Sequence, residues 1–168
     1  MMILYHGSHL AVPQPLAKAG RRNLDFGPGF YLTKLKAQAE AWAVVVAGRK
    51  GRHVIPVVSV YHFDKEKALS DGVRFKEFDT YNIEWLEYVV NCRQGKDYSE
   101  EYDVVEGGVA NDNVIDTVED YEKGVITAEQ ALGQLRYKKV NHQLCILSQF
   151  VIDKYLHFAE DIHLSLEE

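Results

Sequence analysis

At 168 residues, 46% hydrophobic and 26% charged, the chain is long enough to bury one core and too short for two ordinary domains, so a single domain over 1–168 is expected. The formal charge of −6 argues against a general nucleic-acid binder, whose affinity comes from clustered Lys and Arg neutralising phosphates. The N-terminus reads Met-Met-Ile-Leu-Tyr-His with no basic stretch before a long apolar run, and no apolar segment reaches the roughly 20 residues of a membrane span, so a soluble, cytoplasmic protein with no membrane partner is expected.

In chain order, residues 2–5 read as a short strand ending at His6-Gly7-Ser8. Leu10 to Asp25, with Pro13, Pro15 and Gly20, is loop chemistry. Gly27-Pro28-Gly29 forms a tight turn into a strand at 30–32. Thr33 is then a candidate cap for a helix over 34–47, with Leu35, Ala39, Trp42, Ala43 and Val46 on one face and a stop at Gly48. Residues 54–62 are apolar on both faces, as in a central strand, with Pro56 requiring a bulge or an unpaired position. Asn82 caps a helix to about Gln94 whose apolar side carries Ile83, Leu86, Val89 and Val90, with Trp85 and Tyr88 beside it and better explained by burial than by exposure. Residues 102–109 are β-rich, 111–121 look helical with Asn111 and Asp112 as ordinary capping residues, and Thr127 with Gln130 forms a capping box for a helix to about Arg136. A strand at 143–147, a short helix at 149–156 and an extended tail over 158–166 complete the chain. Interleaved strands and helices without regular βαβ units predict an α+β fold.

Cys92 and Cys145 fall in segments that read as a buried helix face and a buried strand, which fits two core thiols. The seven histidines are scattered without helical ligand spacing, so no metal is expected. Eight cations stand in the first third, at Lys18, Arg21, Arg22, Lys34, Lys36, Arg49, Lys50 and Arg52, while the segment from Asp97 to Glu122 is acidic; the asymmetry suits a small anionic ligand.

Three segments carry candidate chemistry: Tyr5-His6-Gly7-Ser8; Phe26-Gly27-Pro28-Gly29-Phe30-Tyr31 with the helix bearing Trp42; and Asn141-His142-Gln143. Taken singly, each is ordinary turn or loop chemistry. In this order they resemble the NAD-gripping motifs of the diphtheria-toxin and poly(ADP-ribose) polymerase branch of ADP-ribosyltransferases, in which a His-Gly pair lies on the first strand, a Phe-Gly-x-Gly-x-Tyr segment follows and a carboxylate opens a later strand. The whole chain resembles domain-of-unknown-function family 3990, through Tyr102-Asp103-Val104-Val105, Ala110-Asn111-Asp112 and Asn141-x-Gln143 as well.

The resemblance implies a split mixed β-sheet core with flanking helices and NAD as substrate, with no metal. It assigns catalysis to His6, Tyr31 and Gln143, and NAD contacts to His6, Gly7, Ser8, Gly29, Tyr31, Trp42, Arg21 and Arg22. Backbone groups of Gly7 would pair with the nicotinamide amide, His6 with a ribose hydroxyl, and Tyr31 and Trp42 would sandwich the cationic ring. Gln143 stands where those enzymes carry glutamate. An amide accepts a hydrogen bond from a ribose hydroxyl but supplies neither full negative charge nor a general base. Three outcomes follow: transfer of one ADP-ribose unit to a macromolecular acceptor, a carboxylate borrowed from Asp112 or Glu106, or an inactive NAD- or ADP-ribose-binding fold. The expectation is mono-ADP-ribosyl transfer to a protein or nucleic acid, in a bacterial toxin or phage-defence setting where a cognate antitoxin or neighbouring small protein is the further partner. An NAD glycohydrolase is the variant without an acceptor.

Overall fold

A computed structural model describes residues 1–111 and 114–165. Seven strands and six helices alternate irregularly among the described residues, as the α+β expectation requires. The first sheet has the order β1-β3-β7, built from β1 (Met2–Ser8), β3 (Val57–Phe63) and β7 (Leu156–His163), all antiparallel, with a bulge in the β3–β7 pairing at Val60/Tyr61. The second has the order β2-β6-β5-β4, from β2 (Phe30–Leu32), β6 (Gln143–Ile146), β5 (Val104–Gly107) and β4 (Phe75–Glu77), with only β4–β5 parallel. An isolated antiparallel pair, Tyr5 with Thr33, joins the two sheets.

Alternation along these strands sorts side chains into three cores. Between the sheets lie Leu4, Tyr61 and Phe63 from one and Phe30, Leu32, Leu144 and Ile146 from the other. The opposite face of the second sheet, with Val105 and Cys145, is covered by Phe26 and by α3 (Ile83–Arg93), α4 (Ile115–Glu122) and α5 (Ala128–Leu135). The outer face of the first sheet packs on α1 (Lys36–Lys50) through Ala39, Ala43 and Val58. Two short helices, α2 (Lys65–Ser70) and α6 (Gln149–Tyr155), close the ends.

Local chemistry set several elements where expected. Asn82 Oδ1 accepts from Trp85 N at 2.8 Å to start α3, and the Thr127–Gln130 capping box is present at α5. Both cysteines are buried. Other expectations are corrected. Helix α1 starts two residues later and runs through Gly48 to Lys50, with Leu35 rather than Thr33 at its cap; Thr33 is instead in the bridge to Tyr5. Its inward stripe is Ala39, Ala43 and Ala47, because the strand beneath approaches so closely that only alanines fit, and Trp42 and Leu35 face out. β1 does not end at residue 5 but continues through His6, Gly7 and Ser8, paired with Ser59, Val58 and Val57. Pro56 precedes β3 rather than interrupting it. Helix α4 starts at Ile115, with Val114 at its cap and the Asn111 carbonyl accepting from Val114 and Ile115 N. The capping expectation for Asp112 lies outside the described residues.

Candidate functional site

The sheets part between β1 and β2. Tyr5 N donates to Thr33 O at 2.8 Å and Thr33 N to Tyr5 O at 2.9 Å, so Tyr5 turns its backbone groups toward β2. Alternation then turns the Gly7 N–H and C=O the same way, and the antiparallel register would set them opposite Tyr31. The ladder does not continue. The Tyr31 carbonyl, which the Gly7 N–H would have met, accepts from His6 Nδ1 at 2.7 Å. The His6 ring thus acts as a spacer, leaning on Phe30 with ring centroids 4.5 Å apart, and the Gly7 peptide looks into the gap. Because a carbonyl can only accept, Nδ1 carries the proton and Nε2 is the acceptor. Burial pushes the His6 pKa below the ordinary imidazole value and keeps the ring neutral.

Gly7 is fixed from the other side as well. A Cβ there would come within 2.1 Å of the Ala39 carbonyl oxygen and 2.8 Å of Ala43 N, so the backbone of α1 rests directly on β1. Ser8, at the end of β1, contacts His9 Nδ1 through its hydroxyl at 3.4 Å.

The Phe26–Tyr31 segment is a closed turn. Gly27 has φ +85°, a conformation that favours glycine, and a Cβ on Gly29 would meet Cys145 Sγ at 2.4 Å and Ile146 O at 2.8 Å. The Tyr31 hydroxyl donates to Gly27 O at 2.6 Å and accepts from Phe26 N at 3.0 Å, which locks the ring to the turn. Burial raises the Tyr31 phenol well above its ordinary range, so it stays protonated.

Tyr31 pairs with Cys145, and Gln143 lies two residues along the same strand, so Tyr31 and Gln143 share one face of the second sheet. Gln143 Nε2 donates to Asp25 Oδ2 at 3.1 Å and to Gly108 O at 3.2 Å. Asp25 is 8% exposed; its Oδ2 also accepts from Ala110 N at 2.8 Å and its Oδ1 from Arg93 at 3.3 Å. Burial pushes the Asp25 pKa up, and the hydrogen bonds from Ala110 and Gln143 and the Arg93 cation offset this only in part. Asp25 joins the candidate site through Gln143, and sequence reasoning missed it. The one signal was an acid set directly before the buried Phe26-Gly27-Pro28-Gly29 run.

Glu106, one of the two acids named as possible borrowed carboxylates, pairs with Leu144 across the strands and therefore lies on the face opposite Gln143. It accepts from His142 Nε2 at 2.7 Å and from Lys65 at 3.0 Å, while His142 Nδ1 accepts from Lys34 N at 3.0 Å. Gln38 completes this cluster by donating to His142 O at 2.7 Å.

Of the expected site residues, His6, Gly7, Gly29, Tyr31 and Gln143 gather at the β1–β2–β6 junction. Trp42 is on α1, 47% exposed, with the Arg49 guanidinium 5.3 Å from its ring centroid. Arg21 and Arg22 are exposed in the loop before Asp25. Cavities of about 410 Å³, beside Leu16, Lys18 and Gln149, and about 290 Å³, beside Met1 and Lys65, lie elsewhere. No group of His, Cys, Asp and Glu able to hold a metal ion occurs among the described residues, and no helix among them is long and apolar enough to cross a membrane.

The family described as "Protein of unknown function (DUF3990)" matches residues 2–158. The chain belongs to this family. Comparison with curated proteins and with solved structures finds no match. The match takes in every strand and helix from β1 to α6, and thus all the residues gathered at the junction.

Proposed function

We propose that this DUF3990 protein binds NAD at the β1–β2 gap and transfers one ADP-ribose unit to a macromolecular acceptor, in the manner of an ADP-ribosyltransferase. The observation that carries the reading is the Gly7 peptide, turned into the gap and kept from β2 by the His6–Tyr31 bond. An N–H and a C=O side by side match a carboxamide, which needs one acceptor and one donor in a plane. Tyr31 stands on the far side of the gap as an aromatic wall for the cationic ring, and His6 Nε2 is an acceptor for a ribose hydroxyl.

Gln143 meets the next requirement. Both of its amide hydrogens are directed to Asp25 and Gly108 O, so the group it offers is the carbonyl Oε1, which accepts a hydrogen bond from a ribose hydroxyl. In the reaction the bond from the ribose anomeric carbon to the nicotinamide nitrogen breaks, and its electron pair leaves with neutral nicotinamide. The acceptor's nucleophile then bonds to that carbon and loses its proton. The oxocarbenium-like state between is stabilised by Gln143 Oε1, and the nucleophile's proton passes to solvent, not to the neutral amide. Exposed Arg21 and Arg22 supply cations for the pyrophosphate. The neutral amide also supports a second reading, a binding module that holds NAD without cleaving it.

The test is incubation with labelled NAD and cell lysate. Wild-type protein is expected to release nicotinamide and label a partner, with Tyr31→Ala and Gln143→Ala each reducing labelling by about tenfold or more. Tight binding without release selects the module. Labelling unchanged in both Tyr31→Ala and Gln143→Ala sinks the site.

A further inference from the structure

We propose that Asp25 is a positioning residue: it fixes the Gln143 amide with its oxygen toward the gap and strengthens that oxygen, so that the Asp25–Gln143 pair takes the place of a single strand carboxylate. What the oxygen meets depends on the NAD reading above; the geometry of the pair does not.

The orientation follows from chemistry alone. The two groups facing the Gln143 nitrogen, Asp25 Oδ2 at 3.1 Å and Gly108 O at 3.2 Å, are both acceptors, so the atom between them must be the NH2. Each partner is itself held. Asp25 takes Ala110 N at 2.8 Å and Arg93 at 3.3 Å, and Gly108 O takes Trp85 Nε1 at 3.0 Å. Gly108 packs closely against Tyr81, whose ring would lie 2.3 Å from a Cβ added there. An amide that donates to a carboxylate carries more electron density on its oxygen, and in a buried setting this polarisation is little screened. Negative charge from Asp25 therefore reaches the gap through Gln143, while the carboxylate stays one residue back from any substrate.

The same geometry explains why glutamate does not fit at 143 beside Asp25. Gln143→Glu would set two carboxylates about 3 Å apart, which must share a proton. Exchanging the two residues, with Asp25→Asn and Gln143→Glu together, keeps one carboxylate and one amide in contact.

The experiment compares the wild type, both single variants and the double variant. In the wild type the Gln143 side-chain N–H groups, identified by their loss in Gln143→Glu, should exchange with water at least about tenfold more slowly than those of exposed Gln14. With NAD, Asp25→Asn should lower the rate constant for nicotinamide release about tenfold and leave KM within about threefold. Gln143→Glu should acquire a pH dependence between about pH 5 and 8 that the double variant lacks, and the double variant should recover to within about threefold of wild type. Fast exchange of the Gln143 amide, wild-type turnover in Asp25→Asn, or a double variant no better than its weaker parent would each overturn the proposal. A wild type that neither binds nor cleaves NAD defeats the reading of the gap instead, and the amide exchange still decides whether Asp25 fixes Gln143.

Discussion

Two neighbouring residues where β6 begins, His142 just before the strand and Gln143 its first residue, direct polar groups to different carboxylates. His142 donates to Glu106 and Gln143 donates to Asp25. Burial would raise both acids. At Glu106, hydrogen bonds from His142 and Lys65 and the Lys65 charge outweigh burial and hold the pKa down at about 2. At Asp25 burial wins and the pKa lies above its ordinary value. The Glu106 cluster is a structural ion network: charged, cross-linked and tying α2 to β5 and β6. The Asp25 cluster keeps a buried acid whose charged form burial disfavours, beside specific polar partners, the combination that marks a candidate functional site.

The contrast can be broken by mutation. The largest effect is expected for Asp25→Ala, which strands Ala110 N and takes one of two partners from both Arg93 and the Gln143 amide; a loss of about 3 kcal/mol in denaturant unfolding would follow, and a loss below about 1 kcal/mol would mean that the network contributes little to the fold. Next comes the pH dependence, where the two acids should oppose each other. Glu106 has a folded pKa below its unfolded one, so its stabilisation is present above about pH 4.5 and is lost as pH falls toward about 2, a total near 3 kcal/mol that Glu106→Gln should abolish. Asp25 has the reverse shift: its charged form costs stability at neutral pH, and that cost is relieved as pH falls through its folded pKa toward the ordinary carboxylate value. Asp25→Asn should therefore gain on the wild type as pH rises from about 4 to 7, and thermal unfolding across that window reads the sign. The smallest effect is Trp85→Phe, which removes one donor from Gly108 O and should cost about 1 kcal/mol while leaving the Glu106 cluster's acid transition in place.

What was legible in the sequence was what short-range chemistry decides. The Asn82 cap, the Thr127–Gln130 box and the apolar 144–147 run each specify an element within a few residues. Helix α2 was not foreseen although Asp64 caps it by accepting from Lys67 N, because six residues give too little periodicity to read. β4 was missed because its three residues become a strand only through parallel pairing with β5. The inward face of α1 was legible at Ala39 and Ala43 but not in its exclusion of Leu35 and Trp42, because it is set by contact with Gly7, some thirty residues earlier in the chain. At the site, the His-Gly and Phe-Gly-Pro-Gly-Phe-Tyr segments were visible as motifs. Asp25 was not, since its partner Gln143 stands 118 residues away and only the folded sheet brings them together.

The seating of α1 on Gly7 has a mechanical consequence. Backbone touching backbone leaves no side-chain layer to shear, so α1 and the β1-β3-β7 sheet travel as one body. Across the β1–β2 seam, the Tyr5–Thr33 pair and the His6–Tyr31 bond lie in line like pins of a hinge. Any widening of the seam would have to break those bonds first.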